Sequence, residues 1–270
     1  MITVAPTGAE VSKDEWPVLP TTLDELVAEA RVCEAAGASM IHVHIRDDDA
    51  RPTLDLGRLR ETVAALRSET SLVVQLSTGG SVHDPLDARL AVLDAEPDSC
   101  SLTCGTVNFG DDVFLNPFPF MAQLYERARE REVVPEFELF DLGHVAALER
   151  LLDRFGPPWG GAVHVDFVTG VPGGMPGTVA ALVAGVQALP PQVTSWSATG
   201  IGRSHLPVLA GALGLGGHVR VGMEDNLMYA PKRPVTGNGE LVERAAALAT
   251  QLQRPPATTS DARALLHLAA

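Results

Sequence analysis

Apolar residues recur along this chain in two rhythms. Short runs rich in valine, isoleucine and phenylalanine alternate with longer stretches whose apolar positions fall three and four residues apart. The first rhythm predicts strands and the second predicts amphipathic helices. Eight strand candidates follow: ITVAP from Ile2, SMIHVHI from Ser39, LVVQLS from Leu72, CSLTC from Cys100, VVPEFELF from Val133, AVHVDFV from Ala162, VTSWS from Val193 and HVRVGM from His218. Between them lie helical stretches such as TLDELVAEARVCEAAG from Thr22 and LDLGRLRETVAALRSE from Leu54. Thr22 opens the first ahead of acidic residues that suit the positive end of a helix dipole, and Gly37 sits where a left-handed cap would end it. NGELVERAAALATQLQR reads as the last helix, with Asn238 as its N-cap.

Strands alternating with helices eight times point to a (β/α)8 TIM barrel of the α/β class, one domain spanning residues 1–270. A doubly wound open sheet is the runner-up, but no Gly-x-Gly-x-x-Gly turn follows the first strand. In a barrel, functional groups gather at the C-terminal ends of the strands. The polar residues fall there repeatedly, from Thr7–Glu10 after the first strand to Glu224–Asn226 after the eighth.

The segment IHVHIRD (41–47) raises the sharpest chemical question. Side chains alternate along a strand, so His42, His44 and Arg46 share one side while Ile41, Val43 and Ile45 share the other. Two imidazoles on one face suit a metal, which needs a further ligand and one open position. In HVRVGMED, Arg220, Gly222 and Glu224 face inward, so Glu224 is the candidate third ligand. Two histidines and a carboxylate suit zinc and also ferrous iron. Asp225 is the candidate general base, or else a group that orients a histidine. Arg220 either binds a substrate carboxylate or pairs internally with Glu224 or Asp166. STGG (77–80) offers a hydroxyl and backbone N–H groups, as an anion nest or a simple turn. Glu136 and Glu138 share a strand face, and at least one should reach the mouth. His144 and His164 are candidate supporting groups.

Composition narrows the partners. A formal net charge of −14 disfavours nucleic acid and anionic membranes, and an anionic substrate would need a local basic pocket. The start has the features of neither a signal peptide nor a membrane span, and Cys33, Cys100 and Cys104 form no disulfide framework, so a cytoplasmic protein with buried cysteines is expected.

Taken together and in this order, TGAE, HVHIRD, QLSTGG, PEFELFDLGH and HVRVGMEDN resemble the β-keto acid cleavage enzymes, from Thr7 nearly to the C-terminus. The resemblance implies a zinc-dependent barrel that condenses a β-keto acid with acetyl-CoA and releases acetoacetate and a new CoA thioester. It implies His42, His44 and Glu224 as zinc ligands, Asp225 as base, and Arg220 paired with it or positioning the keto acid. Ser77, Gly80 and Thr103 or Thr106 would hold the substrate carboxylate and carbonyl, with Glu138 assisting. Glu10 matches the position that meets the substrate amino group in the members acting on 3-keto-5-aminohexanoate in lysine fermentation, so a cationic keto acid, that one or dehydrocarnitine, is expected. A homo-oligomer, dimer or tetramer, is also implied. Two other classes use the same residues: a metal-dependent aldolase or decarboxylase without CoA, and a non-catalytic metal-binding barrel.

Overall fold

The computed structural model describes residues 1–268; residues 269 and 270, to which the expected domain extends, lie outside the described residues. Eight parallel strands close into a barrel in sequential order. They are β1 (Ile2–Val4), β2 (Met40–Val43), β3 (Val73–Leu76), β4 (Ser99–Thr103), β5 (Val134–Leu139), β6 (His164–Thr169), β7 (Ser195–Gly200) and β8 (His218–Val221). Each falls within or overlaps its predicted run. Nine α-helices follow among the described residues: α1 (Leu23–Ala36), α2 (Leu56–Glu69), α3 (Leu86–Ala91), α4 (Phe118–Glu130), α5 (Leu142–Phe155), α6 (Val179–Ala188), α7 (His205–Gly214), α8 (Asn238–Gln251) and α9 (Thr259–Leu265). None is long and apolar enough to cross a membrane.

The two faces of the barrel wall differ in kind. Outward residues such as Val4, Ile41, Val74, Leu102, Phe137, Val165 and Val219 pack against the helices in one apolar core. The inward residues are mostly polar. Register places Thr3 beside Arg220, His42 beside Gln75, Gln75 beside Ser99, Thr103 beside Glu138 and Asp166 beside Ser197. Bulky branched residues ordinarily fill a barrel of this kind. Here they are confined to its lower end, where Met1, Met40, Val73 and Val134 cluster with Ala262 and Leu266 from the end of the chain. The interior is thus an apolar plug below, a polar layer above it, and a mouth at the strand C-termini. Cys33, Cys100 and Cys104 are free and buried, as expected.

Helix α1 carries the caps its sequence predicts. Thr22 and Glu25 form a reciprocal capping box, and Gly37 ends the helix at φ 110°. The far end of the chain needs two corrections. Asn238 is not an N-cap but the first residue of α8, after Gly237, and α9 follows as a further helix. Asn238 has a different task. Its buried amide accepts the N–H of Met223 at 2.8 Å and donates to the carbonyl of Pro6 at 3.3 Å, tying the exit of β8 to that of β1. SMIHVHI is also not one continuous strand. The ladder stops at Val43, and Ile45–Arg46 turns away to pair with Pro52–Thr53 in a hairpin.

Replacing Asn238 with alanine strands one buried donor and one buried acceptor, so unfolding free energy should fall by about 2–3 kcal/mol. A urea titration with unchanged slope reads it. A midpoint equal to wild type would show that water satisfies both groups.

Candidate active site

The mouth of the barrel encloses a cavity of 430 Å³. Its floor is built from the exits of β2, β5 and β8. His42, one residue before the end of β2, is buried, and Gln75 on the neighbouring strand faces it at 2.5 Å through Nδ1. The amide carbonyl accepts the Nδ1 proton, which leaves Nε2 with its lone pair exposed to the cavity. Nε2 of His44 lies close by, and both Nε2 atoms are 3.7 Å from the same oxygen, Oε1 of Glu224. That is too long for a hydrogen bond and right for atoms facing a shared centre. The three donor atoms lie within 4.8 Å of one another. Glu224 Oε2 is buried without a partner. An orphaned carboxylate oxygen beside two imidazoles with free lone pairs fits a divalent cation. Burial, then the nearby Arg220 charge, pulls His42 down to about 4, and burial lowers His44 as well, so both rings are neutral, as ligands must be.

Gly8 makes this placement of Glu224 possible. It turns with φ at +65°, and a side chain there would come within 2.7 Å of the Glu224 Cγ. The TGAE turn therefore lets one strand exit approach the other.

Arg220 crosses the floor from β8. Its guanidinium donates to Asp225 at 3.1 and 2.8 Å, to Glu138 at 3.2 Å and to Glu224. Of the two readings of Arg220, the internal pairing is present and is larger than expected: three carboxylates take four of the five N–H donors, while Asp166 is held by Ser197 and Thr199 instead. Burial opposes ionisation of each carboxylate. Glu138 rises to about 7, and Asp225 rises to about 7 against the pull of Arg220. In Glu224 the attraction of Arg220 and both imidazoles outweighs burial and holds it near 2. Asp225 contacts Arg220 and lines the cavity; no hydrogen bond to a histidine is present among the described residues.

The remaining candidates divide. Glu10, Ser77, Gly80 and Glu138 line the cavity. Thr103 and Thr106 do not: Thr103 donates its hydroxyl to Glu138 at 2.7 Å, and Thr106 accepts the N–H of Asn116. The nest expected at STGG is largely spent internally, since the N–H of Thr78 goes to Ser101 and that of Gly79 to the Ser77 hydroxyl. Arg46 leaves the face it was expected to share with His42 and His44. It donates to the carbonyls of Gly8 and Val11 at 2.6 and 2.9 Å, because the strand has already turned into its hairpin. Glu10 consequently makes no ion pair with it, and its carboxylate has no hydrogen-bond partner among the described residues. His144 accepts the N–H of Phe140, and His164 meets Glu136 at 3.2 Å below the floor. The outer wall was not foreseen. Phe109 and Phe114 come from a hairpin (Val107–Phe109 with Asp112–Phe114), meet each other edge-on at a centroid distance of 6.1 Å and meet Phe140 edge-on at 6.2 and 6.4 Å. The aromatic spacing in TVNFGDDVF was the available signal.

A family model described as beta-keto acid cleavage enzyme matches residues 1–268. The chain is 38% identical over 272 residues to a 3-keto-5-aminohexanoate cleavage enzyme of Acetoanaerobium sticklandii, covering 99% of this chain and 98% of that protein. It is 34% identical over 272 residues to a 3-oxoadipate:acetyl-CoA acetyltransferase of Cupriavidus necator, covering 99% and 94%. A solved ternary complex of ObcA with C4-CoA adduct and oxalate superposes with a TM-score of 0.79 at 21% identity, over 93% of this chain and 68% of that one, a likeness of fold.

Replacing Arg220 with glutamine would leave three carboxylates facing one another without their cation. Unfolding free energy should drop by about 3–5 kcal/mol, read by denaturant unfolding of the metal-free protein. A loss below about 1 kcal/mol would mean that the carboxylates are solvated or protonated without it.

Proposed function

The chain belongs to the β-keto acid cleavage enzyme family and is an enzyme that cleaves β-keto acids with acetyl-CoA; we propose that it does so with zinc held by His42, His44 and Glu224, on a keto acid whose tail is positively charged. The convergence of those three donors on one point, with Glu224 Oε2 unpartnered, carries the zinc assignment.

The exchange balances without another reagent. A β-keto acid R–CO–CH2–COO⁻ and acetyl-CoA become R–CO–S-CoA and acetoacetate. Zinc, when bound, supplies a Lewis acid for the keto oxygen. Asp225 takes the proton from C2, and Arg220 holds its carboxylate in place against the floor. The carbanion attacks the acetyl carbonyl, and the CoA thiolate leaves. That thiolate then attacks the former keto carbon, and the C–C bond breaks to release acetoacetate, which regains the proton from Asp225. Glu138, buried against Arg220 and Thr103, fixes the guanidinium from its other side. Ser77 and Gly80 line the wall where the substrate carboxylate would lie.

The tail is read from Glu10. The two named relatives act on keto acids whose tails differ in charge, an amine in one and a carboxylate in the other. Glu10 lies near enough to Arg46 to act on its charge, but the guanidinium is tied to the carbonyls of Gly8 and Val11 and forms no ion pair with it, so an exposed carboxylate on the cavity lining is left for a substrate cation and favours the amine. The phenylalanine wall adds faces for a cation to rest against. A primary or quaternary ammonium substrate, such as 3-keto-5-aminohexanoate or dehydrocarnitine, fits both features.

Purified protein should carry roughly one zinc per chain. His42→Ala with His44→Ala should lose metal and turnover together, whereas Asp225→Asn should keep the metal while turnover falls about 10²- to 10⁴-fold. Full metal occupancy in the double variant would remove the ligand assignment. Breakdown of the keto acid that proceeds without acetyl-CoA, and so without acetoacetate, would move the enzyme to the aldolase or decarboxylase class.

Glu10→Gln should raise KM for a cationic keto acid about tenfold to a hundredfold and leave a neutral keto acid of equal length unaffected or improved. Equal losses on both substrates, or a wild-type preference for the neutral one, would make Glu10 structural and the tail assignment wrong.

A further inference from the structure

A second cavity, of 730 Å³, lies beside the first and shares Val11, Ile201, Glu224 and Asp225 with it. It sits between the loops that follow β7 and β8, the quarter of a barrel where phosphate groups commonly bind. Most of its wall is apolar, including Leu206, Pro207 and Tyr229. Two side chains in that wall, buried His205 and half-buried Arg244, carry buried polar atoms without partners. His205 is 2% exposed, and neither ring nitrogen has a partner. Arg244 reaches in from α8, donates Nη1 to the Tyr229 carbonyl at 2.6 Å and rests on the Tyr229 ring at 4.3 Å. Its Nε and Nη2 are buried without acceptors.

Unpaired donors of this kind are rare unless a ligand completes them. The cavity adds further features of an anion site. His205 begins α7, whose N-terminus has no side-chain cap. Arg203, on the turn just before it, is exposed and makes no ion pair among the described residues. Arg233 stacks over the same tyrosine at 3.9 Å, though Glu240 already pairs with it at 2.8 Å. The required ligand is therefore long: uncharged and amide-bearing near Asp225, anionic at the rim. With acetyl-CoA as the acetyl donor, a premise that rests on the function proposed above, we propose that this cavity receives the pantetheine and diphosphate arm of CoA. His205 and Arg244 would meet its amides and inner phosphate oxygens, and Arg203 its outer phosphate.

Calorimetric titration of the intact protein with CoA, in parallel with acetoacetate release from acetyl-CoA, tests this. Arg203→Glu removes an exposed, unpaired side chain and should leave folding alone; Arg244→Ala is the second variant. Each should weaken CoA binding about tenfold or more. The ratio of kcat/KM for acetyl-CoA over that for S-acetyl-N-acetylcysteamine, which lacks the nucleotide, should fall by a similar factor. CoA binding that weakens in both variants supports the subsite even if wild type releases no acetoacetate, in which case the reaction and not the subsite is wrong. Wild-type affinity and turnover in Arg203→Glu would overturn the subsite and leave the reaction standing. Absence of CoA binding to wild type would overturn both. A dimer that Leu206→Glu dissociates in light scattering, with CoA affinity unchanged, would assign the cavity to a second copy of the chain and overturn the proposal.

Discussion

The contact on which the site depends is the guanidinium of Arg220, buried at the centre of the barrel between Glu138, Glu224 and Asp225. One positive charge faces three carboxylates from two strand exits. The pairing is possible only because Arg220 offers five donors in a rigid fork, which a lysine could not reproduce. It is also incomplete. Glu138 and Asp225 are pushed up to about 7 by burial while Glu224 stays near 2, so the negative charge concentrates on the carboxylate that faces His42 and His44. The same arrangement that satisfies the arginine therefore leaves a negative carboxylate beside two imidazoles, while burial favours the protonated form of Asp225 against the pull of Arg220.

Such a floor requires a polar layer beneath it. A guanidinium with three carboxylates above a conventional apolar barrel interior would meet no acceptors or donors below. Here Thr103 holds Glu138, Ser197 and Thr199 hold Asp166, Gln75 holds His42, and His164 meets Glu136. The apolar contacts forgone inside are restored outside, where the wall meets its helices, and below, where Met1, Met40, Val73 and Val134 close the barrel with α9. Stability is thus carried by the outer shell and the plug, and the interior is free to specify geometry.

Much of this is visible in the sequence, because period-two alternation is a local signal. It separates His42 and His44 from Ile41 and Val43, and Arg220 and Glu224 from Val219 and Val221, and it finds all eight strands. What it misreads is non-local. Arg46 keeps the parity of His42 and His44 but lies beyond the point where the ladder ends, so its side chain goes to Gly8 and Val11. Asn238 has the composition of a cap, yet a contact more than two hundred residues away, at Pro6, claims its amide. Thr103 and Thr106 look alike in sequence but bond to different partners, Glu138 and Asn116, and neither threonine lines the cavity. The phenylalanine wall shows in the sequence only as the spacing of Phe109 and Phe114, since Phe140 joins them from a distant segment, and the cavity of His205 and Arg244 draws on segments too far apart for spacing to reveal.

The last of these bears on charge. A chain with a net charge of −14 repels the substrates proposed for it, a keto acid carboxylate and a CoA diphosphate. No basic run in the sequence answers that repulsion. The fold instead places Arg203, from the turn after β7, and Arg244, from α8, along one cavity beside an uncapped helix start, where the CoA arm is proposed to lie. Arg244, with Nε and Nη2 buried in an apolar wall, acts more strongly on a nearby anion than the dispersed surface charge does at a distance, since salt screens the latter over about 8–10 Å. The cationic tail proposed for the keto acid, unlike an anionic one, would not be opposed by the acidic exterior.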